Sequence, residues 1–154
     1  MQIQNGIAIF APKRKAMDKK APRWKERLTT YDTALRRLTE VVTMHRQRGL
    51  NEFEKDSLIK RFEFTYEMAW KLMMSYEKEN GIVQIMGSKD VVRHAMAMTL
   101  IDNGEAWLDM IDARNKTAHV YDDEMATDIV DEVVFTYYPL LVELRQRMGG
   151  IADE

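Results

Sequence analysis

The chain has 154 residues, 45% hydrophobic and 31% charged, with a formal net charge of −2. That is room for one domain with a real core, in the composition of a helix-rich soluble protein. The absence of cysteine excludes disulfides, thiolate zinc sites and cysteine nucleophiles, and fits a cytoplasmic location. No apolar run approaches a membrane span, and Ile7-Ala8-Ile9-Phe10 is too short for a signal-peptide core.

The charge is unevenly spread. Residues 1–25 carry Lys13, Arg14, Lys15, Lys19, Lys20, Arg23 and Lys25 against Asp18 alone, a local charge of +6 that leaves −8 for the remainder. A basic arm on an acidic body can touch RNA or an acidic partner, but terminal charge runs commonly stay solvated, and that plainer reading is preferred. Residues 1–22 are read as a basic N-terminal extension, 23–148 as a helical bundle, and 149–154 as a tail opening at Gly149-Gly150.

The first helix is predicted over residues 23–47, where Leu28, Tyr31, Leu35, Leu38, Val42 and His45 recur at steps of three and four. The second starts at Asn51, with Glu54 three residues on in a capping-box pattern. It carries Phe62, Tyr66, Ala69, Met73 and Tyr76 on one stripe and reaches about residue 79. A shorter third helix begins near Ser88 and uses Val91, Val92, Ala95 and Met96. Asn103 or Gly104 opens a fourth that ends near His119. Its expected buried face is Trp107, Leu108, Ile111, Asn115 and Ala118. The last helix starts at Asp122 or Asp123, buries Met125, Ile129, Val133 and Thr136, and is kinked or interrupted by Pro139. No useful stretch alternates with period two. The fold class is therefore all-α: an antiparallel up-and-down bundle of four or five helices. Twelve methionines are read as core filler rather than an adaptable binding surface.

Few residues can carry chemistry. His45, His94 and His119 are far apart, none follows a Glu by three, and no H-E-x-x-H occurs. The reading assigns no metal and no cofactor. Glu63 and Glu67, one turn apart, read as a solvated face or as partners of Arg and Lys. Ser57, Ser75 and Ser88 lie in no nucleophile motif. Trp70 can stack on a base, but a place in the core is preferred.

What remains is Arg114-Asn115-Lys116-Thr117-Ala118-His119-Val120-Tyr121, or R-N-x-x-x-H-x-Y. It gathers a permanent cation, an amide, a titratable ring and a phenol within about two helical turns. His119 can move a proton near neutral pH, and Arg114 can hold a phosphate and stabilise charge developing on its oxygens. In RNA the 2′-hydroxyl is an internal nucleophile, so such a pair suffices without a metal. On an ideal helix the two side chains point about 140° apart, which suits a composite cleft between two copies better than one copy alone. The plainer alternative has Arg114 paired with Asp112, Asp109 or Glu105 and His119 capping the helix. Spacing alone favours it.

The ordered motifs add a resemblance. R-N-K-T-A-H-V-Y-D resembles the R-N-x-x-x-H-x-Y signature of the HEPN superfamily. R-F-E-F-T-Y-E-M-A-W-K-L is similar to the second helix of its nucleotidyltransferase substrate-binding branch. Glu105 to Met110 and Tyr137-Tyr138-Pro139-Leu140-Leu141 resemble that branch too, so the likeness covers residues 24–147. It implies a dimerising up-and-down bundle whose partner is a minimal nucleotidyltransferase. Related pairs are toxin–antitoxin systems, in which the HEPN member is a metal-independent ribonuclease silenced by AMP added to the motif tyrosine. Carried over, Arg114 and His119 are the catalytic pair, Asn115 the polar neighbour and Tyr121 the modification site. The other function open to the family is a non-catalytic subunit that binds a nucleotide or substrate for the transferase.

Overall fold

The computed structural model describes residues 21–154. The basic extension expected at 1–22 thus lies outside the described residues, apart from Ala21 and Pro22. The described chain forms α1 (Arg23–Arg48), α2 (Glu52–Glu79), α3 (Ser88–Ala97), α4 (Gly104–Lys116), a 3₁₀ turn (Thr117–His119), α5 (Asp123–Glu132), a π-helical segment (Val133–Tyr137) and α6 (Tyr138–Ala152). No strand occurs among the described residues, so the all-α bundle read from the sequence is the fold.

The starts of these helices follow from local chemistry. At α2, the Asn51 side chain accepts from the Glu54 amide at 2.9 Å while the Glu54 carboxylate accepts from the Asn51 amide at 2.9 Å. This is the expected capping box, and it satisfies two donors that a helix start leaves free. Arg48 closes the same corner with two bonds to Glu54, at 3.0 and 2.7 Å. Those bonds, with the Asn51 amide, hold the Glu54 acid down to about 2. Gly49, at φ 78°, supplies the left-handed turn between α1 and α2. Asn103 and Asp122 cap α4 and α5 by accepting from Ala106 and Met125.

The short corner makes α1 and α2 antiparallel neighbours, and Trp24 at the start of α1 meets Tyr76 near the end of α2 edge to face at 5.2 Å. α6 returns along α1, α5 packs on α2, and α3 and α4 pack on each other and on α2. The core between them holds Tyr31, Leu38, Leu58, Phe62, Leu72, Met73, Trp107, Met110, Leu141, Leu144 and Met148, all fully buried. Three of these are methionines; Met86 in the α2–α3 loop is exposed, as are Met125 and Met96, the latter expected on the buried face of α3.

Two expectations are corrected in the last two helices, and a third is met in a particular form. Pro139 does interrupt the α-helix, as a π segment over Val133–Tyr137. Its missing N–H and its ring are accommodated by the widened π segment just before it, so α5 and α6 run on continuously. The buried face is Ala126, Ile129, Val130, Val133, Val134, Tyr137 and Leu141, and the expected Met125 and Thr136 are exposed. α6 also continues through Gly149 and Gly150 to Ala152, past the boundary read at 148. Buried Met148 and core-packed Ile151 lie on either side of the pair, and their packing outweighs the poor helix propensity of glycine.

Two buried polar groups generate predictions. The Tyr31 hydroxyl donates to the Leu141 carbonyl at 2.5 Å, tying α1 to α6. Tyr31→Phe is expected to cost about 1 kcal/mol in urea unfolding; an unchanged midpoint would contradict a stabilising bond. Glu77 of α2 is fully buried, and neither of its carboxylate oxygens has a hydrogen-bond partner among the described residues. His94 Nδ1 lies 3.6 Å from it. Burial, with repulsion from Asp90, pushes the Glu77 acid from 4.5 up to about 8. Folded Glu77 keeps a proton that the unfolded chain loses, so stability falls as pH rises from about 4.5 to about 8 and levels off above. The wild-type urea midpoint should decline from pH 5 to pH 8, and Glu77→Gln should flatten that decline. Equal slopes would show that Glu77 does not set it.

Candidate active site

α4 is held in the bundle by Trp107, Met110, Ile111 and Ala113. That face is turned about a quarter of a turn from the expected one, and the expected Asn115 and Ala118 are exposed. The α-helix ends at Lys116, so its period does not carry to Ala118. The residue that goes inward at the end is Thr117, 8% exposed.

Thr117 organises what lies around Arg114. Its hydroxyl accepts from Arg114 Nη1 at 3.2 Å and stands 2.5 Å from Glu63 Oε2 and 2.6 Å from the Arg114 carbonyl. A hydroxyl has one proton, so it can donate to only one of those two acceptors at a time. Arg114 Nη1 is itself 3.6 Å from Glu63 Oε2. The guanidinium, about a third exposed, is therefore held against α2 by Glu63, not by Asp112, Asp109 or Glu105 as the plainer reading expected. Glu63 also faces Lys60 at 3.9 Å. The reading of Glu63 as a partner of basic residues is met, whereas its role beside Arg114 and that of Thr117 were missed. Thr117 had one signal, its helical step of four from buried Ala113. Glu63 had none, because its contact with Thr117 spans 54 residues.

The chain then tightens. The Thr117 amide is shared between the Ala113 and Arg114 carbonyls, and the 3₁₀ turn ends at His119, which is exposed. His119 Nδ1 lies 2.8 Å from the Tyr121 hydroxyl. Tyr121, 76% exposed, lines a cavity of about 230 Å³ with Glu52, Asp56, Val120, Asp122, Asp123 and Ala126. Lys55 fixes the far wall by bonding Asp123 at 3.1 Å and Thr127 at 2.9 Å. The structure thus joins His119 to Tyr121 and Arg114 to Glu63 and Thr117. Among the described residues no hydrogen bond or ion pair links Arg114 to His119, and Asn115 faces solvent beside them.

The other candidates fall elsewhere. Trp70 is half-buried against the core and donates to Glu67 at 2.7 Å. His45 lies 3.6 Å from Asp131 and edge-on to Phe135. Among the described residues no three His, Asp or Glu side chains are grouped so as to hold a metal, and no helix is long and apolar enough to cross a membrane.

Residues 26–149 match the family model for nucleotidyltransferase substrate binding protein like chains. The Haemophilus influenzae protein named "Probable ribonuclease HepT" is 30% identical over 135 residues, covering 78% of this chain and 92% of that protein. A Haemophilus influenzae structure described as the fold of a substrate binding domain of a nucleotidyltransferase superposes with TM-score 0.69 at 26% identity, over 78% of this chain and 97% of that one. A Thermus thermophilus structure superposes with TM-score 0.68 at 28% identity, over 76% of this chain and 97% of that one. A tri-AMPylated Shewanella oneidensis HEPN toxin in complex with MNT antitoxin shares the fold, with TM-score 0.63 at 18% identity, over 85% and 99%. This chain belongs to the family of nucleotidyltransferase substrate binding protein like chains.

Proposed function

We propose that this chain is a cytoplasmic HEPN-type endoribonuclease toxin, active as a homodimer without a metal. On this reading a minimal nucleotidyltransferase is its partner and silences it by adding AMP to Tyr121. The observation that carries the reading is that one short turn separates an exposed imidazole, His119, from a restrained guanidinium, Arg114. His119 takes the proton of an RNA 2′-hydroxyl as its oxygen bonds to the adjacent phosphorus. Arg114 stabilises the charge that builds on the non-bridging oxygens. The bond from phosphorus to the 5′-oxygen breaks, leaving a cyclic phosphate, and an imidazolium protonates the departing oxygen.

In one copy Arg114 is drawn toward α2 while His119 turns to Tyr121, which favours a cleft completed by a second copy. The exposed face of α2 offers the surface for it: Phe53, Ser57, Lys60 and Phe64 follow one another at steps of four, three and four, and Phe53 and Phe64 are 80% and 50% exposed. On this reading Asn115, exposed next to Arg114, is the polar neighbour of the site. The ribonuclease name of the Haemophilus relative and the antitoxin-bound, AMPylated state of the Shewanella toxin support the activity, the partner and the modification. The second reading, a non-catalytic nucleotide- or substrate-binding subunit of a two-component nucleotidyltransferase, is favoured by the described role of the Haemophilus structure.

Purified protein in EDTA should cleave total cellular RNA, and His119→Ala should lower the rate about 10²-fold or more. Equal cleavage by both proteins would remove His119 from the reaction, and no cleavage by folded, unmodified wild type would favour the binding subunit. Phe53→Glu combined with Phe64→Glu should give a monomer by light scattering and lose cleavage with it; a double variant that stays dimeric would place the interface elsewhere.

A further inference from the structure

We infer that His119 serves a second reaction: it is the general base that activates Tyr121 for its own modification. The inference rests on the reading of Tyr121 as the acceptor of AMP and says what makes this phenol a nucleophile. A phenol keeps its proton near neutral pH and is a weak nucleophile in that form. His119 Nδ1 is 2.8 Å from the Tyr121 oxygen, within reach for direct proton transfer. A neutral imidazole has one protonated and one bare nitrogen. With Nδ1 bare and Nε2 protonated, the Tyr121 hydroxyl donates to Nδ1, and the pair is poised for transfer.

The surroundings leave His119 as the base in position. Glu52, Asp56, Asp122 and Asp123 share the cavity with Tyr121. Asp122 is taken by the Met125 amide and Asp123 by Lys55, and Tyr121 has no hydrogen bond to Glu52 or Asp56 among the described residues. The phenol is 76% exposed and can enter a partner's nucleotide site with His119 beside it. The step balances. The Tyr121 oxygen bonds to the α-phosphorus of a nucleoside triphosphate, and the bond from that phosphorus to the bridging oxygen breaks. Pyrophosphate leaves with the electron pair, and the phenolic proton passes to Nδ1. The product sets an imidazolium against a phosphodiester anion, which occupies the group that RNA cleavage needs.

The test uses the full chain, its minimal nucleotidyltransferase, Mg²⁺ and radiolabelled ATP, with labelling at Tyr121 mapped by mass spectrometry. His119→Asn offers a hydrogen-bond acceptor near the Nδ1 position but cannot take up the proton. It should be labelled about 10²-fold more slowly than wild type. Added imidazole should restore labelling of His119→Gly, a rescue that a merely structural role would not show. Labelling of His119→Asn at the wild-type rate would overturn the inference. If wild type takes no AMP on Tyr121 while Tyr121→Phe behaves identically, the modification reading itself fails. A second probe then decides the chemistry without the transferase: diisopropyl fluorophosphate also forms an O–P bond on tyrosine. Faster reaction at Tyr121 in wild type than in His119→Asn supports activation by His119, and equal rates overturn it.

Discussion

The hydroxyl of Thr117 has one proton to give and polar partners on three sides, and the shape of the site follows from that constraint. The last carbonyls of a helix have no partner of their own. Here the Arg114 carbonyl is met by both the Thr117 amide and the Thr117 hydroxyl, which tightens the chain from α-helix to 3₁₀ turn. The same hydroxyl accepts from the Arg114 guanidinium and touches Glu63 on α2. A guanidinium at the edge of a core is costly unless it is bonded, and one buried hydroxyl settles both this side chain and the helix end. The chain then leaves α4 one short turn later, with His119 carried outward and Tyr121 beside it. Had the α-helix run on to His119, as the sequence suggested, the imidazole would have followed the helical phase instead of turning to the phenol.

Much of the fold was legible because its boundaries are written in local chemistry. Asn51, Asn103 and Asp122 each accept from the backbone they precede, and each helix begins where the sequence placed it. The stripes of α1 and α2 were legible for a related reason. They are long enough for steps of three and four to average out any single ambiguous residue. α4 has 13 residues, and two faces fit its apolar pattern. Leu108 with Asn115 describes one and Met110 with Ala113 the other. Which of them goes inward is decided by the Trp107 side of the bundle and by Thr117, and neither is a local property. The Arg-Asn-His-Tyr pattern was visible as a string of chemistry. The carboxylate that restrains its arginine was not, since only the packing of α2 on the end of α4 brings Glu63 there.

The π segment shows the same division between local and tertiary control. Pro139 announces an interruption, because it lacks an amide proton and its ring collides with a carbonyl one turn back. How the interruption is absorbed depends on the packing. Val133, Val134, Tyr137 and Leu141 stay buried in a continuous run, with Tyr137 stacked on Phe62 of α2 and its hydroxyl 3.4 Å from the Asp109 carbonyl of α4. A widened turn keeps these contacts where a kink would break them. It also gives α5, π segment and α6 one unbroken wall behind α4, against which the site is built.

Charge along α2 divides the surface in a way that bears on the proposed chemistry. Arg37 of α1, with Lys60 and Arg61 of α2 and the half-exposed ring of Phe64, lines a groove of about 370 Å³. Lys60 leads from there to Glu63 and so to Arg114. The first turns of α2 instead place Glu52 and Asp56 against Tyr121, with Asp122 and Asp123 opposite. Phosphates are drawn to cations and repelled by carboxylates. On the proposed function an RNA backbone is therefore favoured on the Arg114 side and disfavoured at the phenol. On the same reading, a nucleotide brought to Tyr121 needs cations supplied with it, as by a transferase that carries Mg²⁺. His119 stands between the two regions, bonded to the phenol and within one short turn of the arginine. On the proposed function, a single imidazole at that boundary acts on RNA when it is free and is withdrawn from RNA once Tyr121 carries a phosphodiester.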